Sequence, residues 1–139
     1  MSKKEVATII INRNLPEVTN NLVNHIKKYD GLETDIFIIE AGSDHLKLSE
    51  NYTWHINDDF TIKHGLRYPR GVNLGIKKLY EEGKFESYSS FFFITNDTVL
   101  DKKNLSGFKE NALRIANNYD INIILPKYVE FYKNILNKG

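Results

Sequence analysis

The sequence predicts an α/β protein built on a mostly parallel sheet flanked by helices. Three observations carry that expectation. Apolar runs rich in β-branched or aromatic residues recur along the chain, at Val6 to Ile11, Asp35 to Ile39, Phe91 to Ile94 and Ile121 to Leu125. Stretches of helical periodicity alternate with them, and strands alternating with helices make parallel βαβ units. The runs also lack the in-out alternation of a half-exposed strand and read as strands buried on both faces.

Val6 to Ile11 is the first such strand. Asn12-Arg13-Asn14 follows, then Leu15-Pro16; proline suits the first turn of a helix and Asn14 reads as its N-cap. Val18, Leu22, Ile26 and Tyr29 continue at helical spacing up to Asp30-Gly31, a stop signal. The second strand, Asp35 to Ile39, ends at Glu40-Ala41-Gly42-Ser43-Asp44, and Thr53 to Ile56 is a short third strand. Asn57 to Arg70 is irregular and polar and reads as a long loop of the kind that is often functional. Gly71 to Glu82 is helical, with Val72, Ile76, Leu79 and Tyr80 inward and Gly83 ending it. Phe91-Phe92-Phe93-Ile94 is a core strand that stops abruptly at Thr95-Asn96-Asp97-Thr98. Leu105 to Asn118 reads as a helix and Ile121 to Leu125 as a strand stopped by Pro126. In the final segment, Lys127 to Asn137, Tyr128, Phe131, Tyr132, Ile135 and Leu136 form an apolar stripe at helical spacing. Such a stripe folds back onto the sheet or meets a partner, and a homodimer through this helix is the expectation.

Composition narrows the function. A chain of 139 residues fits one domain, 1–139, with a real core. Nineteen basic against 18 acidic residues leave a net charge of +1, which argues against a broad nucleic-acid footprint. The absence of cysteine removes disulfides and thiolate metal sites. The four histidines show no His-x-x-x-His spacing, so zinc is not expected. No apolar run approaches the roughly 20 residues of a membrane span. The charged start, Met1 to Glu5, lacks the apolar stretch of a signal peptide, and a soluble, cytoplasmic protein is expected.

In a parallel sheet every strand ends on the same side, and ligands bind outside those ends. Asn12-Arg13-Asn14, Glu40 to Asp44 and Thr95 to Thr98 therefore converge. Neither a Gly-x-Gly-x-x-Gly fingerprint after the first strand nor a Walker Gly-Lys-Ser/Thr loop is present to cradle phosphates. A metal is then the natural clamp for a diphosphate, with Asp97 as its best ligand; the alternative is that Asp97 stabilises the turn.

The order of these motifs resembles the N-terminal, nucleotide-sugar-binding half of a family 2 glycosyltransferase with the GT-A fold, a Rossmann-like architecture. Asn12-Arg13-Asn14 resembles the turn where the nucleotide is first gripped, and Ile39-Glu40-Ala41-Gly42-Ser43-Asp44 the second-strand motif whose acid contacts the base. Arg70-Gly71-Val72-Asn73-Leu74-Gly75 resembles the helix start beside the nucleotide sugar. Thr95-Asn96-Asp97-Thr98 resembles the Asp-x-Asp region, with Thr95 in place of the first carboxylate, and Ile123-Ile124-Leu125-Pro126 the strand and proline that follow. The resemblance implies a nucleotide-diphosphate sugar bound by Asn12, Asn14, Glu40, Ser43, Arg70, Gly71, Asn73, Thr95 and Asn96, with Mn²⁺ or Mg²⁺ on Asp97. In the family a further half carries the acceptor site and the general base; this chain ends at Gly139, so the resemblance covers a domain lacking that half. Three functions follow as expectations: a metal-dependent sugar transferase, a nucleotide-binding module without turnover, and an interaction domain acting through its last helix.

Individual residues have plainer readings. Glu40 could be a solvated strand-end acid and Asp44 a turn stabiliser. Asn73 could cap or pack, Arg67 and Arg70 could be surface charges rather than a diphosphate clamp, and His64 and Tyr68 could be incidental to the loop. Trp54 reads as packing and Phe91 to Phe93 as core.

Overall fold

A computed structural model describes residues 4–100, 125–127, 129–130 and 133–134. The chain divides into two compact units, Met1–Asn104 and Leu105–Gly139. In the first, β1 (Val6–Asn12), α1 (Pro16–Asp30), β2 (Thr34–Ala41), β3 (Trp54–Ile56), α2 (Asp59–His64), α3 (Tyr68–Glu81) and β4 (Ser90–Thr95) follow one another. The four strands form one sheet in the order β3-β2-β1-β4, and every pairing is parallel. This is a Rossmann-like α/β fold. The chain runs outward from β1 through β2 to β3, then returns to place β4 on the other side of β1, so the order reverses between β1 and β4. Such a reversal opens a crevice at the carboxyl edge of a parallel sheet.

The core follows from the period of two in the strands. Ala7 and Ile9 of β1, Phe37 and Ile39 of β2, Trp54 of β3 and Leu79 of α3 form one buried cluster, and Ile11, Phe91 and Phe93 pack against it. Ile10 and Ile38, buried and on the opposite face, leave that side to α1, which buries Leu22, Val23 and Ile26. Trp54 stacks on Phe37 at 5.5 Å between ring centres and donates its indole N–H to Glu82 at 2.7 Å. Its packing role is thus as expected.

The structure corrects several expectations. Asn14 is not the N-cap of α1: the cap position is Leu15, and Asn14 takes a left-handed conformation with φ of 59°. Residues 57–70 are not a continuous loop. Asp58 accepts hydrogen bonds from the Thr61 backbone N–H (3.0 Å) and hydroxyl (2.6 Å) and so starts α2. Pro69 sits in the first turn of α3, which begins before Gly71. The inward face of α3 is Gly71, Gly75 and Leu79, while Tyr80 is 72 % exposed. A side chain on Gly71 would run into Ile11, and one on Gly75 would press on Ile9 at 3.1 Å. The helix lies close on β1 because these two positions carry no side chain. Val18 of α1 is exposed rather than buried. Phe91 to Phe93 are half-buried rather than fully enclosed among the described residues. The helix end at Gly83 is as expected: Gly83 has φ of 68° and the Lys84 N–H returns to the Leu79 carbonyl at 2.8 Å.

In the second unit, residues 125–127, 129–130 and 133–134 are helical. Leu125 and Pro126 therefore belong to a helix, not to the end of a strand. The expected helix over 105–118, the strand positions 121–124 and the stripe residues Tyr128, Phe131, Tyr132, Ile135 and Leu136 lie outside the described residues. Among the described residues no helix is long and apolar enough to cross a membrane.

Candidate functional site

The carboxyl ends of β1, β2 and β4 are tied together by side chains. Glu40 is 0 % exposed. Its carboxylate accepts both contacts of the Asn12 carboxamide N–H₂, at 3.1 and 3.0 Å, the Ser43 hydroxyl at 2.5 Å, the Ser49 backbone N–H at 2.8 Å and the Ser49 hydroxyl. A buried carboxylate needs this many donors to offset the loss of water. Glu40 is therefore neither a solvated acid nor open to a base; it holds the loop after β2 onto the end of β1. Ser49 is the member of this group that sequence reasoning missed. Nine residues separate it from Glu40, and no local motif marks a serine at that distance.

Asn12, also 0 % exposed, continues the network. Its Oδ1 accepts the Asn96 carboxamide N–H at 2.8 Å and the Leu15 backbone N–H at 3.3 Å. Asn14 and Ser43 meet on the other side of the same turn. The Asn14 N–H donates to the Ser43 hydroxyl at 3.1 Å, and its Oδ1 accepts the Asp44 N–H at 2.7 Å. Asp44 accepts the Leu46 N–H at 2.9 Å, the turn-stabilising role expected of it. The His55 ring Nε2 donates to the Ser43 carbonyl at 3.1 Å. Beside this knot a recess of about 710 Å³ is lined by Asn14, Gly42, Ser43, Asp44, His45, Tyr52, His55, Asn57 and Ile62.

Asp97 stands apart. A turn closed by the Thr98 N–H on the Thr95 carbonyl (3.1 Å) carries Asn96 and Asp97 past the end of β4. Asp97 and Thr95 are exposed, and the Thr95 hydroxyl lies 3.2 Å from that of Thr98. A cavity of about 270 Å³ opens between this turn and α1, lined by Val18, Asn21, Leu22 and His25 of α1 and by Asn96, Asp97, Thr98, Val99 and Leu100. It lies beyond the carboxyl end of β4, against α1, the helix that follows β1.

Arg70 and Asn73 lie elsewhere. Both line a groove of about 410 Å³ between α2 and α3, with Phe60, Leu66 and Lys77. The Arg70 guanidinium stacks 4.9 Å over the Phe60 ring. Gly71 faces Ile11 rather than any recess, so its missing side chain serves helix–sheet packing. Tyr68 donates its hydroxyl to the Phe93 carbonyl at 3.2 Å, and His64 packs on Phe60 at 4.8 Å between ring centres. Arg13, the middle residue of the Asn12-Arg13-Asn14 turn, donates to the Ile62 carbonyl at 2.8 Å and so caps the end of α2. The Asp58 carboxyl is held below its ordinary value by the Thr61 hydroxyl and N–H hydrogen bonds.

The expected site residues thus fall into three places: the buried knot of Asn12, Asn14, Glu40 and Ser43, the turn of Thr95, Asn96 and Asp97, and the groove of Arg70 and Asn73. Among the described residues no three His, Asp or Glu side chains gather to hold a metal ion. Asp97 therefore fits only the mode in which Mg²⁺ or Mn²⁺ takes one or two protein carboxylates and completes its shell with substrate phosphate and water. No protein-family model matches the chain, and neither a curated protein nor a solved structure matches it.

Proposed function

We propose that this chain binds a nucleotide-diphosphate sugar at the crevice between β1 and β4, through a divalent cation on Asp97, as the donor-binding step of sugar transfer in the cytoplasm. The observation that carries the reading is the exposed Asp97 carboxylate in the wall of a cavity beyond the carboxyl end of β4, in a sheet whose strand order reverses between β1 and β4. Ligands of parallel α/β sheets bind at such a reversal. The cavity of about 270 Å³ is below the roughly 300–1,000 Å³ of sites that enclose a whole ligand. It takes in part of the ligand, which meets the protein's charge through the cation on Asp97, and leaves the rest to neighbouring surface. When bound, the cation supplies Lewis-acid stabilisation of the departing diphosphate. Asp97 anchors it, and Asn96 and Thr98 offer hydrogen bonds beside it.

A second reading, donor binding without turnover, is favoured by a specific observation. Transfer needs a base to take the acceptor proton. Of the other strand-end acids, Glu40 is buried and Asp44 is engaged in its turn. Calorimetric titration of UDP and GDP, with and without Mn²⁺, on the wild type and Asp97→Ala tests the shared core of both readings. Metal-dependent binding that disappears in the variant supports it; binding of neither nucleotide by folded protein sinks it. Release of sugar to an acceptor then separates transferase from binding module.

A further inference from the structure

The buried Glu40 has a role in that crevice although it does not reach it. A carboxylate has no hydrogen to give, so every group facing it must donate. The Ser49 backbone N–H, an obligatory donor, occupies Oε1, and the Asn12 carboxamide spans both oxygens. Asn12 must therefore turn its N–H₂ toward β2 and its Oδ1 toward β4. That oxygen meets Asn96 at 2.8 Å and the Leu15 N–H at 3.3 Å. Leu15 can only donate there, which locks the same direction a second time. Asn96 then spends its N–H₂ on Asn12, so the oxygen of its carboxamide is the end not used in that bond, and Asn96 lines the cavity next to Asp97.

We propose that Glu40 is a positioning residue: through Asn12 it fixes the direction of the Asn96 carboxamide, so that the turn after β4 presents an acceptor oxygen beside the Asp97 carboxylate. The relay Glu40–Asn12–Asn96 stands on hydrogen-bond direction alone. That a cation uses the paired oxygens rests on the donor-binding reading above. Hard divalent cations prefer such all-oxygen surroundings, whereas a reversed Asn96 would turn an N–H₂ toward the ion.

The relay can be broken and restored by substitution. In Glu40→Gln one oxygen becomes an N–H₂ of nearly the same size. Oε1 must stay with Ser49, so the new N–H₂ faces the Asn12 N–H₂, donor against donor. Asn12 then faces a donor in either direction, the Gln N–H₂ at 40 in one and the Leu15 N–H in the other, so its direction is no longer fixed and Asn96 loses its constant acceptor. Adding Asn12→Asp gives residue 12 an acceptor-only group that takes hydrogen bonds from Gln at 40, from Leu15 and from Asn96. The double variant keeps the charge of the network and restores the original direction at Asn96.

Hydrogen exchange of the side-chain carboxamides of Asn96 and of exposed Asn57, followed by NMR on the full chain, reads the relay. Asn96 should exchange roughly tenfold more slowly than Asn57 in the wild type, the scale of one net hydrogen bond. It should exchange faster, toward the Asn57 rate, in Glu40→Gln and slow again in the Glu40→Gln/Asn12→Asp double variant. A purely space-filling role for Glu40 would not produce that recovery. Equal rates in the wild type, an unchanged Asn96 in Glu40→Gln, or no recovery in a folded double variant each overturn the proposal. The wild-type and double-variant arms decide it even where the single variant does not fold. Mn²⁺ alone, added to the same samples, should broaden Asn96 and Asp97 signals in the wild type and the double variant. Protected Asn96 without such broadening keeps the relay and removes a cation bound at these oxygens ahead of nucleotide; the titration with nucleotide present decides the donor-binding reading.

Discussion

Glu40 closes β2 and Asp97 follows β4, and both are acids at the carboxyl edge of one parallel sheet. Glu40 is 0 % exposed and accepts five hydrogen bonds from Asn12, Ser43 and Ser49. Asp97 is exposed, lines a cavity and makes no hydrogen bond to another described residue. One acid is used up by the fold, and the other stands exposed in the wall of a cavity. Position at a strand end therefore does not make an acid a ligand contact. What decides is whether the neighbouring loop folds back to supply donors. The loop after β2 does so with Ser43 and Ser49; the turn after β4 sends Asn96 back to Asn12 and leaves Asp97 exposed.

The contrast is sharpest in the response to truncation. Glu40→Ala leaves the Asn12 carboxamide and the Ser49 N–H buried without their acceptor, and should cost about 3–5 kcal/mol in urea unfolding. A loss below about 1 kcal/mol would mean that water replaces the carboxylate and that the knot is not truly closed. Gly42→Ala tests the loop that supplies the donors. Gly42 has φ of 72°, and a methyl group there would strike the Thr61 carbonyl of α2, a backbone atom that cannot swing aside. A loss of about 2–4 kcal/mol is expected from strain and overlap together; near-neutral behaviour would mean that α2 shifts freely. Asp97→Ala should change stability by no more than about 0.5 kcal/mol, as exposed substitutions do, while removing Mn²⁺-dependent nucleotide binding. A large stability loss would make Asp97 a second structural acid and erase the contrast.

The smallest effect concerns Asp58, between these extremes: exposed, yet held by Thr61. Its carboxyl lies below the ordinary value of 3.8 in the folded chain. The unfolded state thus takes up its proton first as pH falls. The stabilisation is whole above about pH 4, is lost as pH falls through the folded value, and should show as earlier exchange of the α2 amides in acid. Asp58→Asn should weaken that acid dependence while leaving the cap partly formed.

Much of this arrangement is legible in residue pattern. The strand runs and their alternation with helices identify the parallel sheet, because burying a strand on both faces demands continuous apolar sequence. Pro16 and Gly83 mark helix ends through backbone geometry that few other residues share. The short helix α2 escaped because six residues, Asp59–His64, are too few to show a period, although Asp58 three residues before Thr61 is a capping signal. Gly71 and Gly75, four apart, mark the close face of α3, but the same spacing also suits a backbone that approaches a ligand.

The sequence by itself determines the class of fold, the edge at which polar strand ends gather, and the absence of thiolate or phosphate-loop chemistry, since these depend on local period and residue type. Only the tertiary structure decides which strand-end groups are consumed and which remain. Glu40 and Asp97 differ through contacts with residues distant in the chain: Asn12 lies 28 residues from Glu40, and Asn96 lies 84 from Asn12. Hydrogen bonds over such separations are set by strand order and loop closure, which no local stretch of sequence encodes.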